Sequence, residues 1–287
     1  MKLKDRNALI TGASQGFGFA VAQKFISEGA SVVICARDLV KLEQAAKDLK
    51  AMTQPGQRVV VLQADVSIEN DVKKMVEKSI DELKRIDIIV NNAGVYGPKG
   101  LIEDVDSAQW IKAHEINLYG VFYVCKHMIP HMKENKHGKI INLSGGGATS
   151  PLPRISAYAS SKAAVVRLTE TLAVECRDAL IDINAVAPGA LNTRLLEEVL
   201  AEGPSVVGED FYQKALKQKE TGGAPLEKGT SLCTYLASAE SNGITGKLIS
   251  ALWDPWQDFE KYGDELSGSD IYTLRRIIPE ERGKDWG

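Results

Sequence analysis

The sequence lacks long apolar runs, paired cysteines and any strong excess of charge, and each lack removes a class of protein. No stretch reaches the ~18 apolar residues that a membrane-spanning helix requires. The amino-terminal MKLKDRNALITG enters a strand-like run without the apolar centre of a secretory leader. A cytoplasmic protein with no membrane partner is therefore expected. Cysteine is scarce: Cys35, Cys125, Cys176 and Cys233 lie far apart among apolar neighbours, with no Cys-x-x-Cys or Cys/His spacing suited to zinc or redox chemistry. They read as buried free thiols in a reducing compartment, and no metal is expected. Lys and Arg total 35 against 38 Asp and Glu, mixed along the chain to a net charge of -3. No basic stripe is available for a phosphate backbone, so nucleic acid is not an expected partner.

What is present is a regular alternation of two periods. At 287 residues the chain can bury one large core without disulfides or metal. Short β-branched runs at Ala8–Thr11, Ser31–Ala36, Val59–Ala64, Ile86–Asn91, Lys139–Leu143 and Asp182–Ala187 read as strands. Segments of helical period lie between them at Gly18–Glu28, Leu39–Met52, Glu69–Lys84, Ala108–Lys133 and Ala157–Ala179. Strands that alternate with helices must cross over right-handed, which predicts an α/β, doubly wound parallel sheet whose ligand crevice lies at the strand carboxyl ends. After Pro188-Gly189 the pattern changes: Leu191–Glu220 and Leu232–Ala237 read as helical, and Lys247–Leu252 as a last strand. Residues 253–287 carry Trp253, Trp256, Phe259, Tyr262, Tyr272 and Trp286, too aromatic for a disordered tail and too short for a domain.

The first strand ends in Thr11-Gly12-Ala13-Ser14-Gln15-Gly16-Phe17-Gly18 and runs into a helix. Glycine there permits positive φ and close backbone approach, and the helix amides with their dipole can hold a pyrophosphate. The spacing is Gly-x-x-x-Gly-x-Gly. Further on come Asp65-Val66, Asn91-Asn92-Ala93-Gly94, Asn117, Tyr158-x-x-x-Lys162, and Pro188-Gly189 followed by Thr193. This ordered set, over roughly residues 5 to 250, resembles the short-chain dehydrogenase/reductase family. The resemblance implies one Rossmann-like NAD(P)-binding catalytic domain over residues 1–252, with about seven parallel strands and a substrate loop near 190–225. Residues 253–287 would form an aromatic extension. It further implies hydride transfer between a nicotinamide and a small-molecule alcohol or carbonyl. Gly12, Ser14, Gln15, Gly16, Phe17 and Gly18 would hold the pyrophosphate. Asp65 and Val66 would flank the adenine, Asn92, Ala93 and Gly94 would line the adenosine side, and Pro188, Gly189 and Thr193 would embrace the nicotinamide end.

A 2′-hydroxyl is usually held by an acidic residue at the end of the second strand, whereas a 2′-phosphate needs a cation. Here the strand ends Cys35-Ala36-Arg37, with Ala36 where NAD-preferring relatives carry Asp. Arg37 can clamp a phosphate with its planar fork, so NADP(H) is favoured and NAD(H) remains open. Gln15, where many NADP-dependent relatives have a second basic residue, and Asp38, if it turned inward, weigh against this.

Tyr158 and Lys162 lie four apart in a helical segment, on one face. A phenol titrating near ~10 needs a nearby ammonium to act as acid and base at neutral pH. Lys162 is expected to supply it and, by the resemblance, to bind the nicotinamide ribose, with Asn117 seating a relay water. Relatives place a hydroxyl thirteen residues before the tyrosine; that position is Gly145. Ser144 is the nearest hydroxyl and the candidate donor to the substrate oxygen, provided the strand end bulges; Thr149 or backbone amides are the alternatives. The expected pocket wall, Leu143–Ile155 and Ala190–Glu220, is mostly apolar and suits a carbonyl of modest polarity, with the aromatic tail either capping it or packing on protein. Helices Ala108–Lys133 and Ala157–Ala179 resemble those that pair between subunits in the family, so a homodimer or homotetramer is expected. A nucleotide-sensing regulator with the same fold is the rival reading, motivated by Gly145.

Overall fold

The computed structural model describes residues 1–286. Seven strands, β1 (Asn7–Thr11), β2 (Ser31–Ala36), β3 (Val59–Gln63), β4 (Ile88–Asn91), β5 (Gly138–Leu143), β6 (Ile181–Ala187) and β7 (Leu248–Ser250), form one sheet in the order β3-β2-β1-β4-β5-β6-β7. Every pair is parallel. Both faces are covered, which is why the strands are apolar throughout and not alternating. Ile10, Ile34, Ile88, Ile141 and Val186 face one layer, where α1 (Gly16–Ser27), α2 (Leu39–Lys50) and α10 (Leu226–Ala237) supply Phe25, Leu42 and Leu232. Leu9, Val33, Ile89, Ile140 and Ile183 face the other, against Met75 of α3 (Glu69–Leu83), Met128 of α5 (Gly120–Glu134) and Val165 of α6 (Ser156–Glu175). The strand order reverses between β1 and β4, so their carboxyl ends open the crevice expected at such a switch point.

Three regions depart from the helix pattern of the sequence. The stretch expected as one helix over 108–133 is α4 (Ser107–His114), a π-helical turn at Glu115–Tyr119, and α5. Hydrophobic period cannot register a turn that widens by one residue while the axis continues. The single helical run expected over 191–220 is three helices, α7 (Arg194–Glu202), α8 (Pro204–Val207) and α9 (Glu209–Thr221). Gly203 and Gly208, at φ +79° and +86°, make the breaks. Helix α10 begins six residues before the expected Leu232.

The carboxyl-terminal residues pack on the chain's own surface. Trp256 and Phe259 enter the main core, and Trp256 Nε1 donates to Ala251 O at 3.2 Å. Beyond α11 (Gly263–Gly268) the chain follows the outer edge of β7. Leu248 N donates to Tyr272 O at 2.8 Å, and Lys247 Nζ donates to the carbonyls of Ser269 and Ile271 at 2.8 and 3.0 Å. All four cysteines are free and buried. Among the described residues no helix is long and apolar enough to cross a membrane.

Candidate active site at the strand carboxyl ends

The β1 and β4 termini are tied together before any ligand is considered. Thr11 Oγ1 accepts from the amides of Asn92 and Ala93 at 3.0 and 3.1 Å, while Asn92 Nδ2 donates to Thr11 O and Gly12 O at 2.9 and 3.1 Å. Asn92 therefore braces the glycine turn with its side chain. A Cβ on Gly12 would lie 2.8 Å from Ala93 Cα, and one on Gly18 would overlap Asn92 Nδ2, so both glycines are demanded by this close approach. Gly16 differs: its φ is +61°, and a Cβ there would meet nothing nearer than Thr193 Cγ2 at 3.8 Å, across open space. Helix α1 starts at Gly16 with no side-chain cap. Its first-turn amides lack protein partners of the usual kind and carry the positive end of the dipole, a cradle that fits a diphosphate. The Phe17 ring is buried against Gly229 of α10.

A cleft of about 1460 Å³ runs from this cradle to α6 and the α7–α9 helices. It is lined by Gly12, Ser14, Gln15, Gly16, Phe17, Arg37, Asp65, Val66, Asn92, Ala93, Gly94, Ser144, Tyr158, Lys162, Pro188, Gly189 and Thr193. Of the residues singled out in the sequence, Gly18 and Asn117 stand behind its wall. At the β2 end Arg37 is largely exposed and lies 3.9 Å from Asp65 Oδ2. Asp38 caps α2, accepting from Lys41 N at 3.1 Å, so its carboxylate is occupied by the helix. Lys41 also lines this end of the cleft, a second cation that sequence reasoning missed because it reads as an ordinary helix-surface lysine. Burial opposes the charge of Asp65, but hydrogen bonds from Ser67 and the nearby Arg37 and Lys112 outweigh it, holding the carboxyl below its usual range.

At the other end, Tyr158 and Lys162 sit on the inner face of α6, both buried. Lys162 Nζ donates to Leu143 O at 2.6 Å and lies 5.7 Å from the centroid of the Tyr158 ring. Burial pulls the Lys162 ammonium down to about 8. It pushes the Tyr158 phenol up, with Tyr96 adding to the rise. Desolvation and Tyr96 both act upward, and the depression expected from Lys162 is not seen at Tyr158.

Asn117 is fully buried in the π-helical turn, a widened backbone that sets its amide against the neighbouring strand exit. Its Oδ1 accepts from Val95 N at 2.8 Å, and Nδ2 donates to Val95 O and Ser161 Oγ at 2.8 and 3.0 Å. Gly145 lies against Tyr158: a Cβ there would overlap the Tyr158 hydroxyl and sit 2.9 Å from Cζ. The neighbouring Ser144 Oγ is sealed from solvent without a hydrogen-bond partner. Thr149 is exposed on the rim.

The far wall mixes the apolar side chains Leu152, Leu195, Leu196, Val199, Phe211 and Ala215 with Arg194, Glu197, Lys214 and Gln218. Helices α7–α9 carry a small core of their own, packed on Tyr96. They are pinned to the body by Arg154, which donates to Ser205 O and Val206 O at 3.3 and 3.1 Å, and by Lys99, 3.9 Å from Glu198 and 3.7 Å from Glu202. Trp253 and Asp254, at the start of the aromatic extension, line the cleft as the capping alternative expected, while Tyr96 lines it too and carried no signal in the sequence beyond its residue type.

A doubly wound sheet with a glycine turn at its switch point and a tyrosine–lysine pair facing the same crevice defines a class, the α/β oxidoreductases built for a dinucleotide. Within that class the chain belongs to the short chain dehydrogenase family, whose model matches residues 6–203. It is 35% identical over 250 residues to 3beta-hydroxysteroid dehydrogenase 1 of Eggerthella lenta, covering 86% of this chain and 92% of that one. Among solved structures, levodione reductase superposes with a TM-score of 0.79 at 29% identity, covering 89% of this chain and 98% of that one. The 3-ketoacyl-(acyl-carrier-protein) reductase of Brucella melitensis, complexed with NADH, gives 0.75 at 30% identity over 86% and 97%.

Proposed function

We propose that this protein is an NADP(H)-dependent oxidoreductase that interconverts an alcohol with a ketone or aldehyde. The observation that carries the reading is the shared cleft: an open diphosphate cradle at Gly16 and Tyr158 beside Lys162 line one continuous space. The bound nicotinamide supplies or accepts the hydride. Tyr158 gives the proton to the carbonyl oxygen in reduction and takes it back in oxidation. Lys162, a buried cation fixed by the Leu143 carbonyl, stabilises the phenolate that reduction leaves. Asn117 acts at one remove, fixing the Val95 backbone beside the site. Arg37 is the 2′-phosphate ligand, with Lys41 beside it; Asp38 also lines this end of the cleft, its carboxylate engaged by the Lys41 amide and ammonium. The Brucella melitensis reductase was solved with NADH, so the preference of this chain rests on Arg37 and Ala36 and is tested separately below.

The apolar part of the far wall, Leu152, Leu195, Leu196, Val199 and Phe211, favours a ring or chain carbonyl with an apolar body. Ile111, Tyr119 and Phe122 stand exposed on α4, the π turn and α5, an apolar face suited to pairing with a second copy as a dimer or tetramer. The decisive experiment is Tyr158→Phe. Turnover of a carbonyl panel, followed by oxidation of NADPH, should vanish while NADPH binding by fluorescence titration stays nearly intact. Unchanged turnover in the variant would refute the assignment. A wild-type protein that binds NADPH and turns over nothing would favour the sensing regulator.

A further inference from the structure

We propose that Tyr96 supplies the second hydroxyl of the site, donating a hydrogen bond to the same substrate oxygen that Tyr158 protonates; this rests on the oxidoreductase reading above. An acid that protonates a carbonyl works best with another donor already aimed at the developing charge. Gly145 has no side chain to give, and the Tyr158 hydroxyl occupies the space a Cβ there would take. The backbone at Gly145 is extended, so Ser144 points to the opposite side of the strand. Its Oγ is sealed away from solvent. The amide of Ala148 is occupied by Gly145 O at 3.0 Å, and Thr149 stands out on the rim.

Tyr96 remains. Its ring stands edge-on to that of Tyr158, with centroids 4.8 Å apart and planes at 77°, and it lines the same cleft. Among the described residues neither phenol makes a hydrogen bond. The placement of Tyr96 is built in, because Asn117 clamps both backbone groups of the preceding Val95 and the α7–α9 core packs on the Tyr96 ring. Burial and the nearby Glu198 push its phenol up, so it stays a protonated donor at neutral pH. No covalent step is added: Tyr96 keeps its proton, and the hydride and the Tyr158 proton go to the carbonyl as before.

The test compares Tyr96→Phe, Tyr96→Leu and Ser144→Ala with the wild type, using steady-state NADPH oxidation on a carbonyl panel, NADPH titration and melting temperature. Tyr96→Phe preserves the ring and removes only the hydroxyl. It should lower kcat about 10²-fold, the size of one lost oxyanion donor, with NADPH affinity and melting temperature unchanged, and Tyr96→Leu should be no slower than Tyr96→Phe beyond about threefold. A Phe variant as fast as wild type beside a crippled Leu variant would show that the ring only packs, and would overturn the proposal. So would a kcat loss in Ser144→Ala with none in Tyr96→Phe. Absence of turnover in the wild type itself would overturn the oxidoreductase reading and this inference with it, whereas an active wild type with an equally active Tyr96→Phe overturns this inference alone.

Discussion

Gly145→Ala adds a single methyl group, and the structure states where it goes. The new Cβ would overlap the Tyr158 hydroxyl and lie 2.9 and 3.1 Å from Cζ and Cε1, so the ring must retreat by more than an ångström to regain ordinary contact. Retreat is resisted, since Tyr158 is buried on α6 with Tyr96 against its ring. Overpacking a well-filled site costs about 1–3 kcal/mol, and a 1 Å displacement of a reacting group costs about 10²-fold in rate. The expected result is a kcat lower by about 10²-fold, equivalent to about 2.7 kcal/mol of transition-state stabilisation. The glycine turn proposed to hold the cofactor is on a different strand, so NADPH affinity should stay within about twofold. Steady-state kinetics with saturating NADPH reads the first, fluorescence titration the second. If kcat is unchanged while the protein is folded, the tyrosine hydroxyl does not work from the position described, and the reasoning from Gly145 fails.

Three further outcomes follow from other parts of the molecule. Arg37→Ala should weaken NADPH binding by about 10- to 100-fold, the worth of a charge-assisted hydrogen bond, and leave NADH binding nearly unchanged; parallel titrations check it, and equal losses for both nucleotides would remove Arg37 from the 2′-phosphate site. Trp256→Ala should cost about 3–5 kcal/mol and lower the melting temperature by on the order of 10 °C, because Trp256 is part of the main core; calorimetry showing a loss under about 1 kcal/mol would mean that the extension is only draped on the surface. His131 Nε2 accepts the Ile86 amide at 3.2 Å, and burial holds the ring below its usual 6.5. As pH falls through 6.5 the unfolded chain takes up this proton first, so stability is fully present above that pH and drains away below it. His131→Gln keeps an acceptor and cannot ionise, so its melting temperature should fall less between pH 7.5 and 5.5; identical slopes would exclude His131 as a contributor.

The sheet was legible because its signals are local and redundant. A run such as Ala-Leu-Ile-Thr bounded by a glycine turn reads as strand whatever it packs on, and strands alternating with amphipathic helices admit few topologies. The placement of the glycine turn, Tyr158 and Lys162 on one cleft was legible for the same reason, since the helix places residues four apart on one face. Harder to read was anything set by a long-range contact. That Asp38 caps α2 by accepting from Lys41 N emerged only from the folded chain. Burial shifts Tyr158 up and Lys162 down, and it depends on how much protein surrounds both groups, a quantity no spacing encodes.

By itself, then, the order of residues determined the α/β alternation, the glycine turn, the tyrosine–lysine spacing and the absence of a side chain at 145, because each is a property of neighbours within a few positions. Only the tertiary structure decided that Trp256 belongs to the core and that residues beyond α11 edge β7. It alone brought Tyr96 edge-on to Tyr158 from 62 positions away. Contacts of that kind come from the meeting of strand ends that the sheet brings together, and their distances are fixed by packing and not by sequence separation.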